Sequence, residues 1–308
     1  MRRFATGVAL ILILATVTFF LLRIGGSDVA RTLLGENATP DQIAAKTAEL
    51  GLDRPLPIQY AGWLSHALRG NLGTSWLSNQ PVTTSILDRL PVTLSLALTS
   101  VVLTGLLSAL LGVLAATRRG WIDRFLQVLA VAGFAMPGAW LALLLILLAA
   151  IRLRWLPATG YVPLAESPTG WARSLILPVL ALSVSAVAST AQQVRTAMIA
   201  TLDQDYVRTL RSRGLGECSV VWKHALRNAA PNALTVLSLH FIAMLGSTVV
   251  IEQIFALPGI GSLVLQATVG GDNPTVLGVV IAMVLVVVLV NVVLDLVNAA
   301  LNPKVRTR

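Results

Sequence analysis

Long apolar stretches alternate with short polar segments along the whole chain. Six stretches have the length of membrane-spanning helices, which need about 20 mostly apolar residues. They cover residues 4–24, 92–117, 125–151, 175–199, 232–255 and 275–301. The first exceeds the apolar core of a signal peptide, about 7–15 residues, so we interpret it as an uncleaved span. We therefore predict an all-α integral membrane protein with six spans and both ends on one side.

A long polar segment, residues 25–90, separates the first two spans. Thr39 is a predicted helix N-cap, because Pro40 suits the first helical position and Gln42 the third position of a capping box. Gly51 suits the left-handed turn that ends such a helix. The pattern predicts a helical external segment rather than an extended linker.

A second short helix is predicted at residues 58–68, where Tyr60, Trp63 and Leu64 share an apolar face. Two compatible interpretations of the external segment stay open. It is a packed plug over the span ends, with Trp63 and Trp76 as interfacial anchors. Alternatively, it is a platform for an external partner.

Glycine and proline residues mark special positions within the spans. Gly105 and Gly112 permit close approach of another helix in the membrane. Pro137 lies inside the third span, where it removes a backbone hydrogen bond and predicts a static bend. Pro178 is expected in the first turn of the fourth span, after an external loop at residues 152–173.

Polar residues within the last two spans are candidates for function, because ionisable groups in a membrane usually face protein or water. The residues predicted to line or gate a pathway are His240, Met244, Ser247, Ile251 and Glu252. The first four share one helical face. For His240 and Glu252 a structural interhelical hydrogen bond is the alternative. Asp295 in the sixth span is predicted to bond a neighbouring helix, in this chain or in another subunit.

The distribution of Lys and Arg residues along the chain predicts the orientation of the spans in the membrane. The chain of 308 residues is 56% hydrophobic and 12% charged, about half the charged fraction of a soluble domain, which favours lipid as its main solvent. Of its 23 Lys and Arg residues, 14 fall on the side that holds both termini, and that side carries the whole net charge of +9. The positive-inside rule makes it cytoplasmic. This topology explains the basic charge without a nucleic-acid partner.

The motifs that usually carry covalent chemistry are missing from the sequence. Cys218 is the single cysteine, so no intrachain disulfide is available, and the three histidines are too scattered to indicate a metal site. There is no GxxxxGK[ST] phosphate loop, no HExxH motif and no nucleophile elbow. We therefore predict no cofactor, no metal and no enzymatic activity in this chain. Uphill transport would take its energy from a partner or an ion gradient.

The longest strongly charged stretch lies on the cytoplasmic side, at residues 205–231. We predict one helix over residues 205–214, which Gly214 and Gly216 break, and a second over residues 219–228 that ends before Pro231. Two such helices form a compact basic knob. Charge and periodicity alone favour a basic amphipathic helix on anionic lipid headgroups.

Residues 205–235, DYVRTLRSRGLGECSVVWKHALRNAAPNALT, resemble the cytoplasmic EAA loop of ATP-binding-cassette importer permeases. Four further segments resemble the B-type subunits of the dipeptide, oligopeptide and nickel branch: LGLDRPLPIQY, RGNLGTS, VIEQIF and PGIG. The resemblance extends over nearly the whole chain. Leu210 and Ser212 stand where the family usually has alanine, and Asn71 and Asn302 where this branch often has aspartate.

The resemblance implies a type I importer permease fold. Its divisions are a first span at residues 1–24, an external helical segment at 25–90, a five-span core at 91–301 that includes the coupling loop 203–231, and a cytoplasmic tail at 302–308. It also implies three kinds of partner: a second, non-identical permease subunit, two cytoplasmic ATPases that bind ATP and Mg, and an external binding protein that delivers di- or oligopeptides. Nickel, glutathione and haem-like cargo are alternatives within the family. A stand-alone gradient-driven carrier or channel is the alternative outside it.

The same resemblance implies two sets of contact residues. Those expected to couple the chain to the ATPases are Asp205, Tyr206, Arg208, Arg211, Gly214, Leu215, Gly216, His224 and Arg227. Those expected to contact the binding protein are Tyr60, Trp63, Gly270, Gly271, Asp272 and Asn273. The last four lie in the loop at residues 257–274, between the final two spans.

Overall fold

The computed structural model describes residues 2–24, 29–35, 37–118 and 120–301, and this part of the chain is almost entirely helical. The α-helices are α1 (Arg2–Ile24), α2 (Val29–Leu34), α3 (Pro40–Glu49), α4 (Leu56–Leu68), α5 (Val82–Thr117), α6 (Trp121–Ala135), α7 (Gly138–Leu145), α8 (Pro168–Leu202), α9 (Asp205–Ser212), α10 (Leu226–Ile254), α11 (Ile260–Val269) and α12 (Asn273–Leu301). Two π-helical segments, Ile146–Arg152 and Ser219–Ala225, extend α7 and precede α10. The all-α fold class is confirmed. The predicted tail at 302–308 and the start of the external segment at 25–28 lie outside the described residues.

Several helices have the length and apolar character of membrane spans. Among the described residues these are α5, α8, the continuous helix Ser219–Ile254 and Asn273–Leu294. The helix pair Asp123–Ala135 and Gly138–Arg152 adds a fifth where the pair counts as one broken span. α1 contributes a shorter apolar stretch, Ala9–Ile24. The count of six spans therefore stays a prediction.

The third predicted span is divided by a turn much sharper than a proline kink. α6 ends at Ala135, and the axes of the two helical parts differ by 99°. Met136 is extended, with φ −83° and ψ 119°, because the ring of Pro137 disfavours the helical conformation at the residue before it. α7 then begins at Gly138.

Two spans begin earlier than the apolar pattern predicts. α5 starts at Val82 and contains Pro91, so the helix begins inside the segment predicted to be external. α8 starts at Pro168, where the Ser167 hydroxyl caps it by accepting a hydrogen bond from the N–H of Gly170. Pro178 is therefore a helix-interior residue and not a first-turn proline, which corrects the prediction. The added first turns of both helices contain polar residues, so the apolar pattern did not include them in the predicted spans.

The second helix of the cytoplasmic stretch does not end before Pro231. The π-helical segment Ser219–Ala225 leads directly into α10, and Pro231 lies inside that helix. Proline costs a helix interior about 3 kcal/mol. Burial of Val221, Ala225 and Ala229 in one apolar cluster offsets this cost. The predicted knob is consequently one short helix, α9, followed by the first turns of a long helix.

The external segment contains the helices that local signals predict. In α3 the Gln42 N–H bonds the Thr39 hydroxyl and the Gln42 side chain accepts from the Thr39 N–H, which completes the capping box. Gly51 follows with φ +65°, the left-handed conformation expected there. α4 covers the second predicted helix and begins two residues earlier.

The described chain divides into two compact units, Met1–Pro91 with Pro258–Val288, and Val92–Leu257 with Leu289–Arg308. The first has a buried cluster around Val82 and Ile260. The second has clusters around Phe255 and around Met198.

In the second unit, α5 and α8 approach each other closely at Gly112. A Cβ atom there would lie 2.6 Å from the Val194 Cβ. At Gly105 the corresponding contact, to a methyl group of Leu237, is an ordinary 3.5 Å. Close approach is thus confirmed at Gly112 but not at Gly105.

Candidate functional site

The predicted coupling loop is organised by a turn after α9. Gly214 has φ +81°, a conformation that residues with a Cβ rarely adopt, so the sequence needs glycine here. Arg211 spans the turn and donates to both Glu217 carboxylate oxygens, at 2.7 and 3.2 Å. Hydrogen bonding to Glu217 raises the pKa of the Arg211 guanidinium. Arg211 therefore holds the shape of the loop, a role that the sequence did not predict.

α9 is fixed to the long helix that follows it. Val207, on the inner face of α9, is fully buried, and the Asn228 amide donates to the Tyr206 hydroxyl at 2.7 Å. Val207 and Asn228 were not predicted to matter. The signal for Val207 is that it is the β-branched apolar residue of a strongly charged helix.

A surface groove lies between α9 and the start of the long helix. It has a volume of about 330 Å³, and its lining residues are Tyr206, Leu210, Lys223, His224, Arg227 and Asn228. The structure thus brings together three predicted coupling residues from both sides of the turn: Tyr206, His224 and Arg227.

The remaining coupling candidates stand at the outer side of the loop. Asp205, Arg208, Gly214 and Gly216 are exposed, and Leu215 is half-buried. The Arg208 guanidinium lies 3.6 Å from the Asp205 carboxylate, and both side chains are largely in solvent. This surface combines a groove lined mainly by polar and basic side chains with exposed charge beside it, which suits contact with a protein.

Two of the predicted pathway residues hold helices together. Glu252 is fully buried in its own chain and accepts a hydrogen bond of 2.7 Å from Thr93 of α5. His240 shares a 2.7 Å hydrogen bond with the Ser189 hydroxyl of α8. Both geometries correspond to the interhelical alternative, and a role for these residues in the pathway stays a prediction.

The other pathway candidates differ in their surroundings. Met244 and Ile251 are buried, whereas Ser247 is exposed and bonds the Ala243 carbonyl of its own helix. The four positions that share a helical face therefore do not form one uniform surface. The side chain of Asp295 lies outside the described residues.

An ion pair that the sequence did not reveal joins α6 to α8. Arg195 donates to both carboxylate oxygens of Asp123, at 2.6 and 2.7 Å, and the Gln127 amide donates to the same carboxylate. Only 23% of the Arg195 side chain and 15% of the Asp123 side chain are exposed. Their spacing of 72 residues gave no local signal, although both stand near the cytoplasmic ends predicted for their spans.

The predicted external contacts are partly buried. Tyr60 and Trp63 of α4 pack their rings against Phe19 of α1, with centroids 5.3 and 5.6 Å away. This corresponds to the packed-plug interpretation of that helix.

Asp272 and Asn273 are buried too, at 2% and 6% exposure. Asp272 accepts hydrogen bonds from the Ser75 hydroxyl, the Trp76 N–H and the Thr275 hydroxyl, at 2.5 to 3.0 Å. Most of the loop that carries them is helical, because α11 occupies residues 260–269. These two side chains therefore do not project toward an external partner in this structure. Of the four residues predicted in this loop, Gly270 is half-buried and the other three are buried.

No group of three or more His, Cys, Asp or Glu side chains suited to a metal ion occurs in the described ranges. Cys218 is a free, exposed thiol.

Comparison with protein families and with named relatives gives matches along almost the whole chain. Residues 108–307 match the family model for the binding-protein-dependent transport system inner membrane component, and residues 1–97 match the model for the N-terminal part of such membrane components. A Brucella abortus protein named as a peptide transport system permease is 41% identical over 99% of this chain and 98% of its own.

Two further relatives are more distant. A Sinorhizobium fredii protein named as a peptide ABC transporter permease is 35% identical over 99% of this chain and 98% of its own. The glutathione transport system permease protein of Salmonella paratyphi A is 35% identical over 96% of this chain and 94% of its own. Among solved structures, an inward-facing form of the MetNI methionine ABC transporter is similar in fold, with a TM-score of 0.58 and 18% identity over 71% of this chain and 97% of that one.

Proposed function

The chain belongs to the family of binding-protein-dependent transport system inner membrane components, and we propose that it is the permease subunit of an ATP-driven peptide importer. The observation that carries the peptide assignment is the 41% identity to a peptide transport permease across almost the full length of both chains. The family comprises membrane components of ABC transporters, and ATP hydrolysis takes place in separate subunits.

The proposed energy input is the surface formed by α9 and the groove beside it. An ATPase subunit would grip this surface, and ATP-driven closure of two ATPases would move it with the attached long helix. The supporting geometry is the direct continuation of Ser219–Ala225 into α10. A force on the groove residues His224 and Arg227 would thus act on one end of a membrane helix without an intervening hinge.

The proposed assembly has five chains or domains. A second, non-identical permease subunit completes the pathway, two cytoplasmic ATPases supply energy, and an external binding protein delivers the peptide. Both termini lie in the cytoplasm of this arrangement, and the segment at residues 25–90 lies outside. The asymmetry of basic residues supports this orientation.

The assay for this proposal is peptide uptake into liposomes that contain the purified complex. We expect uptake of labelled di- or oligopeptides that requires all three kinds of partner and ATP, and that a non-hydrolysable ATP analogue stops. Transport by this chain alone, driven by an ion gradient, would overturn the assignment to an importer complex.

Competition identifies the cargo in the same assay. Unlabelled di- or oligopeptides should reduce uptake at lower concentrations than glutathione does. Glutathione is the relevant competitor because a 35% identical relative is a glutathione permease. Uptake of glutathione in preference to every tested peptide would reassign the cargo while leaving the transport mechanism intact.

A further inference from the structure

A small cavity with both polar and apolar side chains in its wall lies within the first unit. Its volume is about 270 Å³, and its walls come from α1, from α4 with the loop before it, from Trp76 and from the start of α12. Water takes roughly 30 Å³ per molecule, so the cavity has room for about nine waters or one compact polar group. Arg54 and Ile58 at its edge are exposed, so the cavity reaches the surface.

Two buried polar atoms in the cavity wall have no hydrogen-bond partner in the described part of the chain. They are the Gln59 Oε1 and the Asn273 Nδ2. The Gln59 amide orientation is fixed, because its Nε2 donates to the carbonyls of Leu52 and Arg54, at 3.1 and 2.7 Å. Leaving such atoms unpaired costs roughly 1–3 kcal/mol each. Two residues that line the cavity thus carry one unsatisfied acceptor and one unsatisfied donor, which an occupant of matching polarity would pair.

The residues of the cavity wall that carry a full charge are all positive. Arg23 and Arg54 line the cavity, and no Asp or Glu does. The Arg23 guanidinium is held over the rings of Phe19 and Trp76, 5.6 and 6.0 Å from their centroids, and neither arginine has a carboxylate partner among the described residues. Guanidinium groups bind phosphate and carboxylate oxygens with paired hydrogen bonds. The occupant should therefore carry an anionic group.

The position of the cavity favours a lipid over a soluble anion. Arg23 lies in the last turn of the apolar helix α1, where Leu21 and Ile24 are exposed. Trp63 and Trp76 also line the cavity, and tryptophan is enriched at membrane–water interfaces. A headgroup in the cavity would sit where the apolar surface for its acyl chains ends.

We propose that this cavity binds the headgroup of a phospholipid whose phosphodiester is followed by a hydrogen-bond donor, as in phosphatidylethanolamine or phosphatidylglycerol. The phosphate oxygens accept from Arg23, Arg54 and the Asn273 amide. The terminal ammonium or hydroxyl of the headgroup donates to the Gln59 Oε1. Phosphatidylcholine has the phosphate but no such donor, so it leaves the Gln59 oxygen unpaired.

Lipid titration of the purified, delipidated transporter complex, followed by native mass spectrometry, tests the proposal. We expect phosphatidylethanolamine to bind about ten times more tightly than phosphatidylcholine with matched acyl chains. Arg54→Gln, at an exposed position, and Arg23→Gln should each weaken phosphatidylethanolamine binding about tenfold. Arg69→Gln is the matched control, because this exposed arginine follows α4 but lies outside the cavity wall, and it should bind like the unchanged protein.

Several results would overturn the proposal. Equal binding of the two lipids, or unchanged binding by both arginine variants, would leave only non-specific annular lipid. Soluble glycerophosphoethanolamine binding as tightly as the lipid would identify a site for a free phosphate compound. Displacement of phosphatidylethanolamine by a dipeptide or by glutathione would identify a site for the transported cargo.

Discussion

Replacing Gly112 with alanine tests whether close contact between α5 and α8 holds the second unit together. The added Cβ would lie 2.6 Å from the Val194 Cβ and 2.8 Å from the backbone oxygen of Ala191. Carbon atoms in contact normally lie about 3.5–4.0 Å apart. Side-chain rotation relieves neither contact, because the Val194 Cβ is bonded directly to its backbone Cα and the Ala191 oxygen belongs to the helix backbone. The two helices must therefore separate by several tenths of an ångström.

The expected loss in the free energy of unfolding follows from two opposing effects. Overpacking of a well-packed core costs about 1–3 kcal/mol, and contact with backbone places this site near the upper end. Alanine has the higher helix propensity, which stabilises the variant by about 1 kcal/mol relative to glycine. The net loss is then about 2 kcal/mol, which at about 2 °C per kcal/mol for a chain of this size lowers Tm by about 4 °C.

Gly246→Ala is the matched control for this experiment. Gly246 also lies inside a long helix, α10, but a Cβ atom there would meet nothing within 4 Å. Its Tm should stay the same or rise, because only the propensity gain applies. The measurement is thermal unfolding of the purified complex in detergent, followed by tryptophan fluorescence. A Gly112→Ala variant as stable as the Gly246→Ala variant would refute the inferred helix contact.

Three further substitutions test the hydrogen-bonded and strained positions. Asp272→Ala removes the acceptor for Ser75 and two other donors. Tm should fall by more than for Gly112→Ala, because each hydrogen bond to a charged group contributes about 1.5–3 kcal/mol. An unchanged Tm would contradict the buried network. Arg195→Lys cannot make the paired hydrogen bonds to the carboxylate on α6 and should cost about 1 kcal/mol in the same assay, whereas an increase in Tm would argue against the pair. Gly214→Val should reduce peptide-stimulated ATP hydrolysis, whereas Gly214→Asn should retain most of it, because asparagine adopts positive φ more readily than valine. Equal activity of the two variants would show that backbone geometry is not the reason for glycine at this position.

Local signals predicted local structure well. The capping box at Thr39 and the left-handed Gly51 are both confirmed, because each depends on atoms only a few residues apart. The same holds for the break at Gly214. Apolar runs located the long helices, but polar first turns made α5 and α8 start earlier than predicted.

Prolines were predicted less well, because their effect depends on what the flanking helix buries. Pro137 produces a 99° turn between two helices, whereas Pro231 is contained within one continuous helix. The sequence around each proline allows either result. Burial of Ala225 and Ala229 in a shared cluster decides it for Pro231.

The sequence by itself determined the fold class and the family resemblance, since these depend on composition, periodicity and contiguous motifs. Tertiary structure alone decided which polar residues meet. Asp272 bonds Ser75 from 197 positions away, Thr93 reaches Glu252 across 159, and the cavity joins α1 to the start of α12. Such partners are chosen by helix packing, and a linear pattern carries no information on which helix faces will come together.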